Sequence, residues 1–170
     1  MPVEAPIRPP QEQQTQILPK LNTITKSEDT GSVAEQVQDT VFEFPEGISA
    51  FEEAKRFELL ISEEIKPFAY FQSLDVEGLG FVCIDPFLVH PSYLVEISPK
   101  NMEFLDLAKP EDAMTLSFVT VAGDPVDTTV DLLAPIVINV KNLRGRQIIL
   151  EDYPVRYNIW QGVQALKKTA

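Results

Sequence analysis

Residues 131–150 read Asp131-Leu-Leu-Ala-Pro-Ile-Val-Ile-Asn-Val-Lys-Asn-Leu-Arg-Gly-Arg-Gln-Ile-Ile-Leu150, the longest apolar run of the chain joined to its clearest turn. Residues 136–140 and 147–150 are rich in Ile, Val and Leu, which pack well on a pleated surface, so they read as two strands. The polar residues 141–146 between them form a basic hairpin tip. There, Gly145 is expected to supply the positive φ that such a loop needs at one position. Ile136, Val137 and Ile138 are consecutive apolar residues, which predicts a strand covered on both faces. Pro135 suits its first position, where no ladder donor is lost. A strand buried on both sides belongs at the centre of a sheet.

Short strands surround this hairpin. Residues 41–44, 57–61, 68–73, 81–84, 93–97 and 114–121 are rich in aromatic or β-branched residues, and turn signals separate them. In 68–73, Phe68, Tyr70 and Gln72 fall on one face and Ala69, Phe71 and Ser73 on the other. Residues 81–84, Phe-Val-Cys-Ile, are apolar throughout and predict a central strand. Ser98 as N-cap with Pro99 behind it predicts a short helix over 99–107 presenting Met102, Leu105 and Phe104. Residues 50–56 allow one helical turn. These elements give a mainly β fold class: a small antiparallel β-barrel-like or sandwich single domain with short helices.

The 170 residues support one sizeable core and too little for two. The body is assigned to 39–157. Residues 1–38, with five prolines and six glutamines, read as a disordered or extended arm, in which Ile17, Leu18, Leu21 and Ile24 offer material for a sheet edge. Residues 158–170 read as an amphipathic tail helix, with Ile159, Val163 and Leu166 at helical spacing, Trp160 beside them and Lys167 and Lys168 near its end. Neither a membrane span nor an export signal is read, and with a single cysteine the expectation is a cytoplasmic, monomeric protein.

The net charge of −12 is unevenly spread. Residues 43–131 hold 18 acidic and 5 basic side chains, whereas 132–170 hold 2 acidic and 6 basic. An acidic body repels phosphates and attracts cationic surfaces, which argues against direct nucleic-acid binding and for a basic protein partner. Solubility alone is the simpler reading of the same charge.

No catalytic constellation emerges. His90 is the sole histidine and lies between Val89 and Pro91, away from any nucleophile elbow. Cys83 reads as a small buried hydrophobe. Structural zinc needs about four Cys or His ligands, and the chain has two such residues. Asp124, Asp127 and Asp131 lack the spacing of a calcium loop. Gly78 and Gly80 do not open a helix after a strand, so they form no phosphate cradle. Glu63 with Glu64 and Glu111 with Asp112 read as solvated pairs. No metal, cofactor or catalytic residue is assigned.

Three stretches taken together resemble the flagellar assembly factor FliW family. They are Phe44-Pro-Glu-Gly-Ile-Ser-Ala-Phe-Glu, then Gln72-Ser through Leu79-Gly-Phe-Val-Cys-Ile-Asp-Pro-Phe, and then Asp131-Leu-Leu-Ala-Pro-Ile-Val-Ile-Asn with, beyond it, Arg144-Gly-Arg-Gln-Ile-Ile-Leu. The resemblance spans about residues 40–157, in order and spacing. Ser49 and Ala50 stand where the family has Pro-Gly, and Asp131 where it has Asn. The resemblance implies a non-enzymatic, cytosolic partner-switching protein with a small β-barrel-like fold. Such a protein binds flagellin, and it binds the basic RNA-binding translational regulator CsrA and so relieves repression of flagellin mRNA. Under that reading Asp75, Glu77, Asp85, Asp124, Asp127 and Asp131 steer a basic partner, and Phe44, Phe51, Phe87 and Tyr93 are candidate apolar anchors that serve equally well as core residues. The competing reading is a barrel that binds a small apolar ligand or catalyses an unrecognised reaction, for which a ligand-sized interior would be the sign.

Overall fold

The structure, a computed structural model, describes residues 5–7, 23–24 and 40–161. Its strands are β1 (Ala5–Ile7), β2 (Thr23–Ile24), β3 (Phe42–Glu43), β4 (Arg56–Ser62), β5 (Phe68–Ser73), β6 (Gly80–Ile84), β7 (Val95–Ile97), β8 (Ala113–Thr120), β9 (Thr129–Val130), β10 (Ile136–Asn139), β11 (Gly145–Gln147) and β12 (Tyr157–Asn158). Two short helices, α1 (Pro86–Val89) and α2 (Pro99–Leu105), interrupt them. One sheet runs β11-β10-β8-β6-β5-β4-β2, with β3 also on β4 and the β9–β12 pair branching from β8. Its pairings are antiparallel except β2 on β4. The sheet curls until the Glu43 N–H donates to the Leu143 carbonyl at 2.9 Å, beside a lone bridge between Glu43 and Arg144. No continuous ladder extends from that point, so the expected mainly antiparallel β fold is barrel-like without being closed.

Each central strand serves two cores, because alternate side chains leave a strand on opposite faces. Ile136 and Ile138 of β10 join Phe42, Phe44, Phe57, Phe71, Cys83, Met114 and Leu116 on the concave side. Val137, between them, joins Phe87, Tyr93, Val95, Leu105, Leu132 and Ile148 on the other. All four residues of β10 are buried, as the unbroken apolar run predicted. The concave side is filled by phenylalanines: Phe57 and Phe71 stack at 4.6 Å, and Phe44 meets each edge-on at 5.5 Å. Such packing occupies the space a barrel ligand would need.

Local differences from the sequence reading have identifiable causes. In the hairpin, Leu143 takes the positive φ, at 63°. Gly145 is required for another reason: the Phe44 ring lies where its Cβ would be. Residues 50–56 make no helical turn. Ala50 adopts φ 71°, and the Phe51 N–H closes a tight turn on the Ile48 carbonyl at 2.7 Å. Asp112 is buried rather than solvated and pairs with Lys141 at 3.1 Å. The predicted helix over 99–107 forms as α2, with Ser98 accepting from the Asn101 N–H at 3.2 Å. Within the arm, β1 pairs with β7 and β2 with β4. The remainder of the arm, including Ile17, Leu18 and Leu21, and residues 162–170 of the tail lie outside the described residues.

Candidate interaction surface

Two acidic segments leave the sheet at the same end. The register Cys83 opposite Phe118 brings the start of β6 level with the end of β8. Hence the β5–β6 turn, with Asp75 and Glu77, and the β8–β9 loop, with Asp124 and Asp127, emerge on one side. The β8–β9 loop is a single 3-10 turn over Pro125–Asp127, capped by Asp124, whose Oδ1 accepts from the Val126 N–H at 3.1 Å. The C-terminal segment holds this loop in place. Asn158 Nδ2 donates to the Val126 carbonyl at 2.7 Å, and Trp160 Nε1 donates to the Pro125 carbonyl at 2.9 Å. A loop tied down in this way presents its carboxylates with little ordering entropy left to lose on binding.

The sequence-predicted residues divide by burial. Glu77, Asp124 and Asp127 are exposed. Asp75 is exposed but partnered: its Oδ2 accepts from the backbone N–H groups of Lys55 and Arg56, both at 2.8 Å, and Arg56 pairs with its Oδ1 at 2.7 Å. The Lys55 N–H, and after it the Arg56 guanidinium, holds the Asp75 carboxyl below the usual range. Asp131 is half-buried and accepts from the Leu133 and Ala134 N–H groups at 2.9 and 3.0 Å, a turn that Asn would make equally well. Burial raises its pKa. Asp85 is no surface charge at all. It is buried, caps α1 by accepting from the Phe87 N–H at 2.8 Å, and is pushed up to about 6 by desolvation.

Of the aromatic candidates, Phe44 and Tyr93 are fully buried and Phe87 nearly so, which leaves them no surface to offer a partner. Phe44 fills the concave core. Tyr93 donates to the Leu132 carbonyl at 2.7 Å from within the other core. Phe51 is half-buried and stands edge-on to Phe81 at 5.6 Å.

An apolar groove was not anticipated. It lies along the outer face of β5 and β6 beside the β8–β9 loop, has a volume of about 480 Å³, and is lined by Ile65, Phe68, Tyr70, Val82, Val121 and Trp160. Its exposed lips are Ile65 at 41%, Val121 at 63% and Trp160 at 42%. The sequence signal was the half-exposed alternation Phe68, Tyr70 on β5, whose outer partners come from remote segments.

Chemistry is sparse. Cys83 is buried among the phenylalanines, with its thiol pushed up to about 12, whereas His90 packs against Tyr93, Tyr153 and Tyr157 on the other side of the sheet. The sheet therefore separates the two side chains. Among the described residues no group of three or more His, Cys, Asp or Glu side chains is placed to hold a metal ion. Among them, too, no helix is long and apolar enough to cross a membrane.

Comparison with known proteins places this geometry. The sequence model of the FliW protein family matches residues 25–159. A flagellar assembly factor FliW of Syntrophus aciditrophicus is 43% identical over 115 residues, which is 66% of this chain and 73% of the relative. One from Caldicellulosiruptor saccharolyticus is 31% identical over 145 residues, covering 84% of this chain and 94% of the relative. A crystal structure of the flagellar assembly factor FliW superposes with a TM-score of 0.67 at 37% identity, over 71% of this chain and 85% of that one. Sequence match and shared fold cover the same body, and the chain belongs to the FliW family.

Proposed function

We propose that the protein is a flagellar assembly factor that acts by binding other proteins and performs no reaction itself. It binds flagellin and the basic, RNA-binding translational regulator CsrA; holding the regulator relieves repression of flagellin mRNA, and free flagellin takes the factor away. The observation that supports this reading most directly is the acidic loop Asp124–Asp127, exposed yet fixed by Asn158 and Trp160 on a family-matched body. Fixed carboxylates at one end of a molecule of net charge −12 raise the encounter rate with a cationic partner. Glu77 at the same end adds to that field, and the buried Asp85 adds nothing to specific contact.

Surface-plasmon kinetics with the purified regulator test the reading. Reversing both charges with Asp124→Lys and Asp127→Lys should lower the association rate about tenfold at low salt, flatten its salt dependence, and leave dissociation little changed. Unchanged association at low salt would remove this loop from the mechanism. Absence of binding to both the regulator and flagellin by the unmodified protein would remove the function itself.

A further inference from the structure

We propose that the apolar groove on the outer face of β5 and β6 is a docking site for an amphipathic helix of a partner protein, one with an apolar stripe flanked by Lys or Arg. The assignment rests on the reading of this chain as one that works by binding other proteins. None of the residues lining the groove is charged, and Ile65, Val121 and Trp160 hold large apolar side chains in solvent around it. A contiguous apolar patch marks an interaction site on a chain that otherwise packs its large side chains into two cores.

The shape of the occupant follows from the backbone. Tyr70 of β5 is paired on both sides, with Leu60 of β4 and Val82 of β6, so the groove offers a sheet face there and not an edge. An extended peptide laid over a face finds no ladder to join, whereas a helix satisfies its own backbone bonds and needs only side-chain contacts. The charge of the occupant follows from the rim. Asp124 and Asp127 flank the turn containing Pro125, and the exposed Glu63 and Glu64 precede Ile65, while Lys66 after it is paired with Glu63. Carboxylates on both sides of an uncharged trough favour cationic flanks on whatever lies in it. The aromatic groups are set in advance. Tyr70 lies across Gly80, where a Cβ would meet its hydroxyl, and Trp160 Nε1 is tied to the Pro125 carbonyl at 2.9 Å. Aromatic anchors fixed in this way lose little freedom on binding.

Trp160, the only tryptophan, reports occupancy of the groove by its fluorescence. The ligand for the test is a synthetic peptide of about 18 residues built from Leu and Lys, with its leucines at helical spacing on one face. Added to the full-length protein, it should shift Trp160 emission to shorter wavelength in a saturable way. A peptide of the same composition with its leucines scattered, and a Leu–Glu counterpart of the ordered one, should give no shift at the same concentrations. The Ile65→Ser, Val121→Ser double variant should weaken the ordered Leu–Lys peptide about tenfold or more. Asp124→Asn with Asp127→Asn, which keeps the turn's capping group, should weaken it severalfold at low salt and little at high salt. No shift with the ordered peptide, an equal shift with the scattered one, or an affinity untouched by the Ile65 and Val121 changes would each overturn the proposal. So would a shift that follows protein concentration without peptide, which would give the groove to a second copy. The test uses neither the regulator nor flagellin, so its failure is distinct from a failure of the acidic loop to capture them.

Discussion

At the scale of single residues, Ala50 and Asp85 hold conformations or charges that the fold tolerates at a cost. Ala50 sits at φ 71°, a region where a Cβ meets the following carbonyl. The turn closes here with Ala in strain. Ala50→Gly should raise stability by about 0.5–1 kcal/mol, the relief of strain exceeding the extra chain entropy that Gly loses on folding; urea unfolding measures it. Asp85 is buried with its pKa near 6 against an ordinary value of 3.8, with desolvation outweighing its cap bond to Phe87. Below pH 4 it is protonated folded or unfolded. As pH rises through the window from about 4 to about 6 it ionises first in the unfolded chain, so stability falls, by about 3 kcal/mol at most by neutrality. Asp85→Asn keeps the cap without the charge. Relative to the unmodified protein, the variant should gain stability between pH 4 and pH 7, and a parallel pair of stability curves would show that Asp85 carries no such penalty.

At the scale of elements, the hairpin of β10 and β11 shows how a residue type is read correctly and its reason missed. Gly145 was legible as an obligatory glycine of the turn. Its φ is not positive, because Leu143 makes the reversal, with its N–H on the Asn139 carbonyl at 2.8 Å. The glycine instead makes room for Phe44, a residue about a hundred positions earlier in the chain. Gly145→Ala should therefore cost about 1–3 kcal/mol through overpacking, not through backbone strain. Phe44→Leu, by freeing space on the same spot, should make the double variant less destabilised than the sum of the singles. Thermal unfolding of the four proteins of that cycle checks it, and strict additivity would locate the glycine requirement elsewhere.

On the scale of the whole molecule, β6, β8 and β10 contribute side chains to both cores, so neither core can dissolve while the other remains. Two probes stand on the two sides: Trp160, held against Pro125 near the outer core, and the Cys83 thiol inside the phenylalanine core. Urea transitions monitored by Trp160 fluorescence and by Cys83 labelling should coincide in midpoint and slope. Native Cys83 should stay unlabelled at pH 8, since burial lifts its pKa to about 12. Separate midpoints would mean that the sheet yields one face at a time. The same scale governs electrostatics, where the acidic excess acts through its field while Asp75 is paired with Arg56 and Asp85 lies buried away from any partner's reach.

Periodicity and turn chemistry by themselves determined that this chain makes short antiparallel strands, that β6 and β10 are central, and that Ser98 starts a helix, because those outcomes depend on neighbours within a few residues. The three family stretches were likewise readable as a set. Only the tertiary structure decided which acidic side chains face solvent, that Phe44, Phe87 and Tyr93 belong to cores, and that a groove runs beside Trp160. The physical reason is that burial of a side chain depends on what packs against its face, and here those partners come from strands tens of residues away.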